Sequence, residues 1–468
     1  MLYTRKRFVL FILILVILGL TFGGCGKKKQ EIVGEGEYSG EVYPENGLPK
    51  NNKVTISAII AEQGTGIESF KYAVETFEKK FPNVKVDVHW IEAGLETAYK
   101  IIDSAIQSGS DKDMYDWIHT MIPDSYQSLS QAGKLEIQTD LWERNLYDSP
   151  NKKVKEVIMG DMKEIFMADG NMYGLPRGLV IYGLYYNKKL FQENGWNDNP
   201  SHWEEFMETC AKIKSAGMYP MVMAGKFPFY FDFAWNAIPY EIGGLEYRDF
   251  VHSNRPDIYI SKPYLTQLER MEEFAQKGYF HPGTVSFDHT QSQMEFLQGE
   301  AALIPNGTWI GNEMKEVTPK EFKWGFMPMP GNNPGGRQVV LTSQGCIGFI
   351  WKNKPALTKQ WAKEFNLWLL NLDIMLRDAK SGSIPVRNDF ELDPKVLSSS
   401  VVVAMNSLRS PDVITINPHI KEHQINNIEM SKVGKVKLDG YISLVTGKKS
   451  VIQVANEINL QYMKGLNY

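Results

Sequence analysis

Trp309 stands two residues after an Asn-Gly pair, in the stretch PNGTWIGNEM that runs from Pro305 to Met314. Tryptophan is usually placed where most of its area can be buried, whereas Asn-Gly is a surface-turn pair. The turn would therefore hold the indole at a rim, with the Asn306 amide and the Thr308 hydroxyl beside it. An aromatic face next to short hydrogen-bonding side chains suits non-covalent recognition of a ligand with apolar faces and polar edges. A core tryptophan is the competing reading. The same residues spell an N-glycosylation acceptor, Asn306-Gly307-Thr308, so the compartment has to be known. Metal chemistry has no comparable footing: the eight histidines are scattered, and no HxxxH or CxxC grouping occurs.

The elements that must position such residues can be read from periodicity. KVTISAII (Lys53–Ile60) is a β-branched strand, and GIESFKYAVETFEKKFP spaces Phe70, Ala73, Val74, Phe77 and Phe81 helically before Pro82 stops it. VKVDVHW then alternates Val84, Val86, Val88 and Trp90 at period two. Strand, helix and strand form a βαβ unit, so a parallel sheet is expected. A second amphipathic helix over about 95–108 leads to a short strand, YDWIHT. Further on, DGNMYGLPRGLVIYGLYYNKKLFQENG reads as a turn, an extended run and a short helix ending at Gly195. Ser201 and Glu204 suggest a capping box for the next helix, whose stripe is Trp203, Phe206, Met207, Cys210 and Ile213. Met218–Gly244 reads as an aromatic, proline-broken loop. Helices follow over about 264–277, 290–297 and 358–379, with QVVLTSQGCIGFI as a buried strand between them.

The first fifty residues bear on the compartment. Arg5, Lys6 and Arg7 precede the apolar run Phe8–Leu20, too short for a membrane span but suited to a signal-peptide core. Gly23, Gly24 and Cys25 resemble the lipobox of bacterial lipoproteins, with Phe22 where leucine is usual; the resemblance implies cleavage after residue 24 and lipidation of Cys25. An uncleaved anchor is the alternative, and both export the chain. In a bacterial envelope the Asn306 acceptor reads as coincidence. Residues 25–52 are charged, contain Gly and Pro, lack periodicity, and read as a tether. Roughly 420 residues remain, more than one hydrophobic core usually serves, so two lobes are expected. With 51 basic and 55 acidic residues and no basic run in the body, nucleic-acid binding is not expected. Cys210 and Cys346 could pair in an exported chain, but Cys210 on an apolar stripe reads better as a buried hydrophobe.

Five blocks occur in order behind the lipobox: DGNMYGLPRGLVIYGLYYNKKLFQENGW, PSHWEEFMETCAKIKSAG, FLQGEAALIPNGTW, GFMPMPG and GSIPVR. Together they resemble bacterial extracellular solute-binding proteins of family 1, the maltose-binding-protein-like carbohydrate receptors of ABC importers, over nearly all of residues 53–468. The wording around NGTWIGNEMKEVTPKEFKWGFMPMP is most similar to the subgroup that binds N-acetylglucosamine or its dimer. The resemblance implies an α/β, two-lobed periplasmic-binding-protein-like fold of type II, with discontinuous lobes joined by crossing strands. The first lobe would be 53–176 plus 342–381 and the second 177–341 plus 382–468, crossing near Arg177, Leu341 and Gly382. It also implies a monomer without catalysis, cofactor or metal, anchored to the membrane by its N-terminal lipid and delivering a sugar to permease subunits. The paired cysteines would then span both lobes and lock any hinge, which favours free thiols.

A sugar offers a hydroxyl edge and apolar C–H faces, so its receptor needs aromatic platforms beside oriented polar groups. The resemblance places Trp309 against a sugar ring, with Asn306 and Thr308 at its side. Glu62 and Gln63 follow the first strand, where open α/β sheets present ligands. Thr120 and Asp124 follow YDWIHT; Asp124 matches an acidic ligand of the family and equally suits a helix N-cap, while His119 reads as structural. Phe229, Tyr230, Asp232, Trp235 and Asn236 mix platforms with polar tips in the aromatic loop, where lobe core must claim some. Arg177 could fork to two hydroxyls or pair with a carboxylate across the hinge. Ser343 and Gln344 at the second crossing, and Arg387 beyond the third, complete the set. The rival from another class is a glycoside-processing enzyme, for which Glu62 and Glu313 would have to face each other about 5–10 Å apart across a sugar bond.

Overall fold

A computed structural model describes residues 40–62, 67–92, 95–119, 125–159, 162, 166–168, 170–346, 348–389, 391, 393–418 and 429–466. Cys25, Gln63, Thr120 and Asp124 lie outside the described residues. The chain divides into two compact units, 1–49 and 50–468. In the first, Val42 bridges Pro49 and the Tyr43 N–H donates to the Leu48 carbonyl at 2.8 Å, closing a turn at the end of the expected tether.

Within the second unit the strand Val54–Ala61 is paired on both edges and buries one face throughout, with Val54, Ile56, Ala58 and Ile60, while Thr55 on the other face is exposed. Val84–Ile91 and Trp117–Ile118 flank it in parallel, and the short strand Phe349–Ile350 adds antiparallel at the edge. The helix Glu68–Lys80 buries Phe70, Ala73 and Phe77, and Phe81 caps it before Pro82. Leu95–Ser108 is the second helix. The expected βαβ start is present, with Val54 in register with Val84.

A second, seven-stranded sheet is organised by one long strand, Pro176–Asn187. Along one edge it pairs antiparallel with Gln338–Cys346 and then Trp324–Met327; along the other it pairs with Ile384–Pro385 and then Ala301–Gly307. Val413–Ile416 and Tyr219–Met221 extend the two sides in parallel. Alternation along the long strand sends Leu184 and Tyr186 into one core with Phe191, Trp203, Phe206 and Trp235. Leu179, Ile181 and Tyr185 enter the opposite core with Ile304, Phe326 and Val340. A period of two thus buries both faces of the sheet.

Local expectations shift in three places. Helix Trp203–Ser215 has His202 at its N-cap with no side-chain cap; Ser201 instead bonds Glu205, its hydroxyl 2.9 Å from the carboxylate, so the expected Ser201–Glu204 box is displaced by one residue. The expected helix 358–379 is two, Ala356–Trp368 and Leu372–Lys380. The segment taken as a loop to Gly244 enters a helix at Ile238, kinked where Gly244 leaves helical geometry. Cys210 is fully buried on the apolar stripe and unpaired.

Candidate functional site

The site is built on the end of the strand Ala301–Gly307. Asn306 and Gly307 are not a turn: they continue the strand, opposite Gly183 and Tyr182. This corrects the rim-turn expectation, and Asn306 is fully buried, its Oδ1 accepting the Gly307 N–H at 2.8 Å. Gly307 serves a different purpose. A Cβ built there would lie 2.3–2.6 Å from indole carbons of Trp309, so the missing side chain is the space the indole occupies. Because Gly307 is directly across from Tyr182, the indole lies beside that phenol, at 5.7 Å between centroids and 78°. Trp309 is half-buried.

Three rings complete the platform. Phe233 stacks on Tyr182 at 4.3 Å and 1° and meets Trp309 edge to face at 5.6 Å. Tyr230 is buried, packs on Phe233 at 4.8 Å, and its phenol is hydrogen-bonded to the Trp309 indole; burial and the nearby Glu313 carboxylate push its pKa up. Phe229 is 44 % exposed at the outer edge. The Tyr182 hydroxyl meets Ser343 Oγ at 2.5 Å, and burial raises its pKa to about 12 against that bond. Tyr182 and Phe233 were missed in the sequence. The extended run through GLVIYGLYYN contains Tyr182, but only the register with Gly307 makes it part of the platform.

Several expected contacts are spent elsewhere. Trp235 has no exposed surface and packs in the core against Trp203, Phe274 and Phe280, which removes it from the site. Asp232 pairs with Lys437 at 2.9 Å, turned toward the helix Val433–Val445. Thr308 is fully buried, its hydroxyl donating to the Gly382 carbonyl at 2.6 Å. Arg387 is buried among Asp148, Asp389 and the Leu370 carbonyl, all at 2.8–2.9 Å. Trp235, Thr308 and Arg387 are structural, because burial leaves no surface for a ligand to touch, whereas Asp232 is half-buried with its carboxylate held by Lys437.

Arg177 resolves toward its carboxylate alternative. It pairs with Asp378 at 2.6 Å, donates to Ser69 Oγ at 2.8 Å, and lies 3.6 Å over the Phe70 ring. That ring also meets His119 at 4.3 Å, and His119 stacks on Trp117. Burial, with the Arg177 charge adding to it, lowers the His119 pKa to about 3, so the imidazole is neutral. Glu62 is exposed just beyond the end of Val54–Ala61. Ser343 is half-buried, and the backbone of Gln344 pairs with Leu179. The side chains of Gln344 and Cys346 lie outside the described ones. No group of three or more His, Cys, Asp or Glu able to hold a metal occurs among the described residues.

The profile of the family described as bacterial extracellular solute-binding protein matches residues 62–371, well over half of the chain. The chain belongs to that family. This solute-binding protein is 24% identical over 296 residues to the diacetylchitobiose binding protein NgcE of Streptomyces coelicolor, covering 62% of this chain and 60% of that one. It is 24% identical over 346 residues to the maltotriose-binding protein of Pyrococcus abyssi, covering 73% and 68%. The chain thus spans less than two thirds of the length of the first curated relatives it matches, 54–60%. A solved structure titled chitin oligosaccharide binding protein superposes with a TM-score of 0.72 at 16% identity, over 89% of this chain and all of that one. The fold is therefore the two-lobed α/β fold of those proteins. Family membership also implies an extracytoplasmic location, and these relatives are binding proteins rather than enzymes. Among the described residues no helix is long and apolar enough to cross a membrane.

Proposed function

We propose that this solute-binding protein is a non-catalytic, lipid-anchored carbohydrate receptor that captures a sugar or oligosaccharide outside the cytoplasm and delivers it to the permease of an ABC importer. The observation that carries the reading is the platform of Trp309, Tyr182 and Phe233, a set of rings at a strand end with the Ser343 and Tyr230 hydroxyls beside them. Such rings take the apolar faces of a pyranose, and carboxylates and hydroxyls take its edge. The names of the two chitin-related proteins support an N-acetylglucosamine-containing ligand. The first lobe contributes Glu62 and, on this reading, Gln63, Thr120 and Asp124.

The chain crosses between lobes on Pro176–Asn187, Gln338–Cys346 and the segment from Gly382 to Asp389, whose Arg387 is bonded to Asp148 and Asp389 to Lys152. Closure about these crossings follows when ligand contacts on both lobes favour the closed state over the open one. Cys25 carries the lipid, and residues 26–52 tether the receptor to the membrane.

The test is a panel of mono- and oligosaccharides titrated calorimetrically against the purified protein, with indole fluorescence as a second signal. Binding of at least one sugar, weakened by Trp309→Ala in a folded variant, is expected. No response to any sugar, with clear binding of a peptide or metal, would overturn the reading. Release of shortened products would favour the glycoside-processing alternative.

A further inference from the structure

We propose, resting on the carbohydrate reading, that Lys437 is a positioning residue for sugar binding. From the helix Val433–Val445, behind the aromatic loop, it holds Asp232 and so fixes the next residue, Phe233, in the platform beside Trp309. Lys437 and Tyr441 are one helical turn apart and meet the same loop. The Tyr441 ring packs on Phe231 at 6.0 Å, and Lys437 Nζ lies 2.9 Å from Asp232 Oδ2. The helix is itself anchored: the buried Tyr441 hydroxyl meets that of Tyr264 at 3.1 Å and accepts from Gln267 Nε2 at 2.9 Å.

The loop depends on side chains for its placement. The backbone hydrogen bonds described for residues 229–237 are short turns within it: Asp232 N–H to the Phe229 carbonyl at 3.0 Å, Ala234 to Phe231 at 3.3 Å, and Ala237 to Ala234 at 3.0 Å. Phe231 and Trp235 enter the core, Asp232 turns to Lys437, and Phe233 stacks on Tyr182 and meets Trp309 edge to face. The ion pair is of the kind whose loss is felt. Lys435 and Asp439 on the same helix form a solvent pair, 78 % and 63 % exposed, whereas Lys437 and Asp232 are 18 % and 23 % exposed. Asp232 Oδ1 is buried and accepts no hydrogen bond, so the carboxylate's charge is met at Oδ2, by Lys437. Without the ammonium that carboxylate is stranded, and turning it toward solvent drags Phe233 off the platform.

The deciding experiment titrates the full-length protein calorimetrically with the β-1,4-linked dimer of N-acetylglucosamine or, should the wild type not bind it, with the sugar of the panel that it binds tightest. The variants are Lys437→Met, Lys437→Arg, Asp232→Asn and Phe233→Ala, with Lys437→Met and Asp232→Asn each also combined with Phe233→Ala. Lys437→Met and Asp232→Asn should each weaken binding about tenfold, and Lys437→Arg should bind within about twofold of wild type. On the Phe233→Ala background the further loss from either should be under about twofold, because the ring they act through is gone. The indole emission of sugar-free Lys437→Met should shift, and the shift should vanish when Trp309→Phe is added. Asp232→Asn carries the same cycle if Lys437→Met does not fold. A loss that is as large without Phe233 as with it is a general structural loss and overturns the positioning role. Wild-type affinity in a folded Lys437→Met overturns it too, and a loss confined to Asp232→Asn would then make Asp232 a direct sugar contact. Those results leave the receptor reading intact, whereas a wild type that binds no sugar of the panel overturns both.

Discussion

Thr308 Oγ1 donates to the carbonyl of Gly382 across 2.6 Å, tying the strand end that carries Trp309 to the turn after the helix Leu372–Lys380. Ser400 Oγ secures the same residue from the other side, donating to the Thr308 carbonyl at 3.1 Å. The approach is close: a Cβ on Gly382, whose φ is +110°, would stand 2.7 Å from the Trp309 Cα and 2.8 Å from the Thr308 oxygen. The aromatic platform therefore moves with the segment that leads into Ile384–Pro385.

Loosening that tie should be felt in both stability and binding. Thr308→Val keeps the shape and removes the donor, leaving the buried Gly382 carbonyl short of a bond, at about 1–3 kcal/mol. Gly382→Ala adds a methyl group where backbone already stands and strains a positive φ, and should cost at least as much. Urea denaturation reads the stability, and sugar titration reads the platform. Wild-type values for both variants in both measurements would show that the tie does not position Trp309.

Gly307→Ala tests the platform more locally. The new methyl group would meet the indole at 2.3–2.6 Å, so the ring must leave its place beside Tyr182. The expected outcome is a red-shifted indole emission and a loss of sugar affinity of about tenfold or more, comparable to removing an aromatic contact. An unshifted spectrum with full binding would mean that the indole can be displaced without consequence.

The pair Arg177–Asp378 joins the long strand of the second sheet to the helix Leu372–Lys380, with side chains 6 % and 10 % exposed. Removing one partner strands the other charge without solvent. Asp378→Ala or Arg177→Met should each cost about 3–5 kcal/mol, while the double variant should recover part of the loss. Additive single effects in chemical denaturation would show that the two side chains do not depend on each other.

How far the sequence could be read follows from which interactions are local. Helix and strand periods are local, so Leu95–Ser108 and Val84–Ile91 were readable, as was the apolar stripe that buries Cys210. The platform was half readable: Trp309 announced itself, but the Gly307 beside it looked like a turn. Its real role depends on an indole folding back over the strand, which no spacing rule contains. Arg387, Asp232 and Thr308 looked free because their partners Asp148, Lys437 and Gly382 lie far away in sequence, and for Arg177 the carboxylate alternative had no nameable partner until the fold brought Asp378 to it. Trp235 and Trp309 both sit in aromatic surroundings, and only packing separates the core ring from the half-buried one. Gln63, Thr120 and Asp124 remain expectations from position at strand ends.

Two buried groups give stability opposing dependences on pH. Burial pushes the Glu241 carboxyl up to about 8 from an ordinary 4.5, against the N–H bonds it accepts from Val339 and Gly331 and the charge of Arg270. Between those values the folded chain holds a proton that the unfolded chain has released, so this group's contribution falls as pH rises from about 4.5 to about 8. His119 acts in the other sense. Its folded pKa lies near 3, below the ordinary 6.5, so between them the unfolded chain binds the extra proton and stability falls as pH drops. Glu241→Gln keeps an oxygen to accept the Val339 N–H and has no charge to bury. It should raise stability at pH 8 by on the order of 1–2 kcal/mol and flatten the alkaline slope. His119→Phe should flatten the acid slope alone. Denaturant melts of the three proteins across this pH range separate the effects, and an unchanged alkaline slope in Glu241→Gln would show that Glu241 is already ionised in the folded protein.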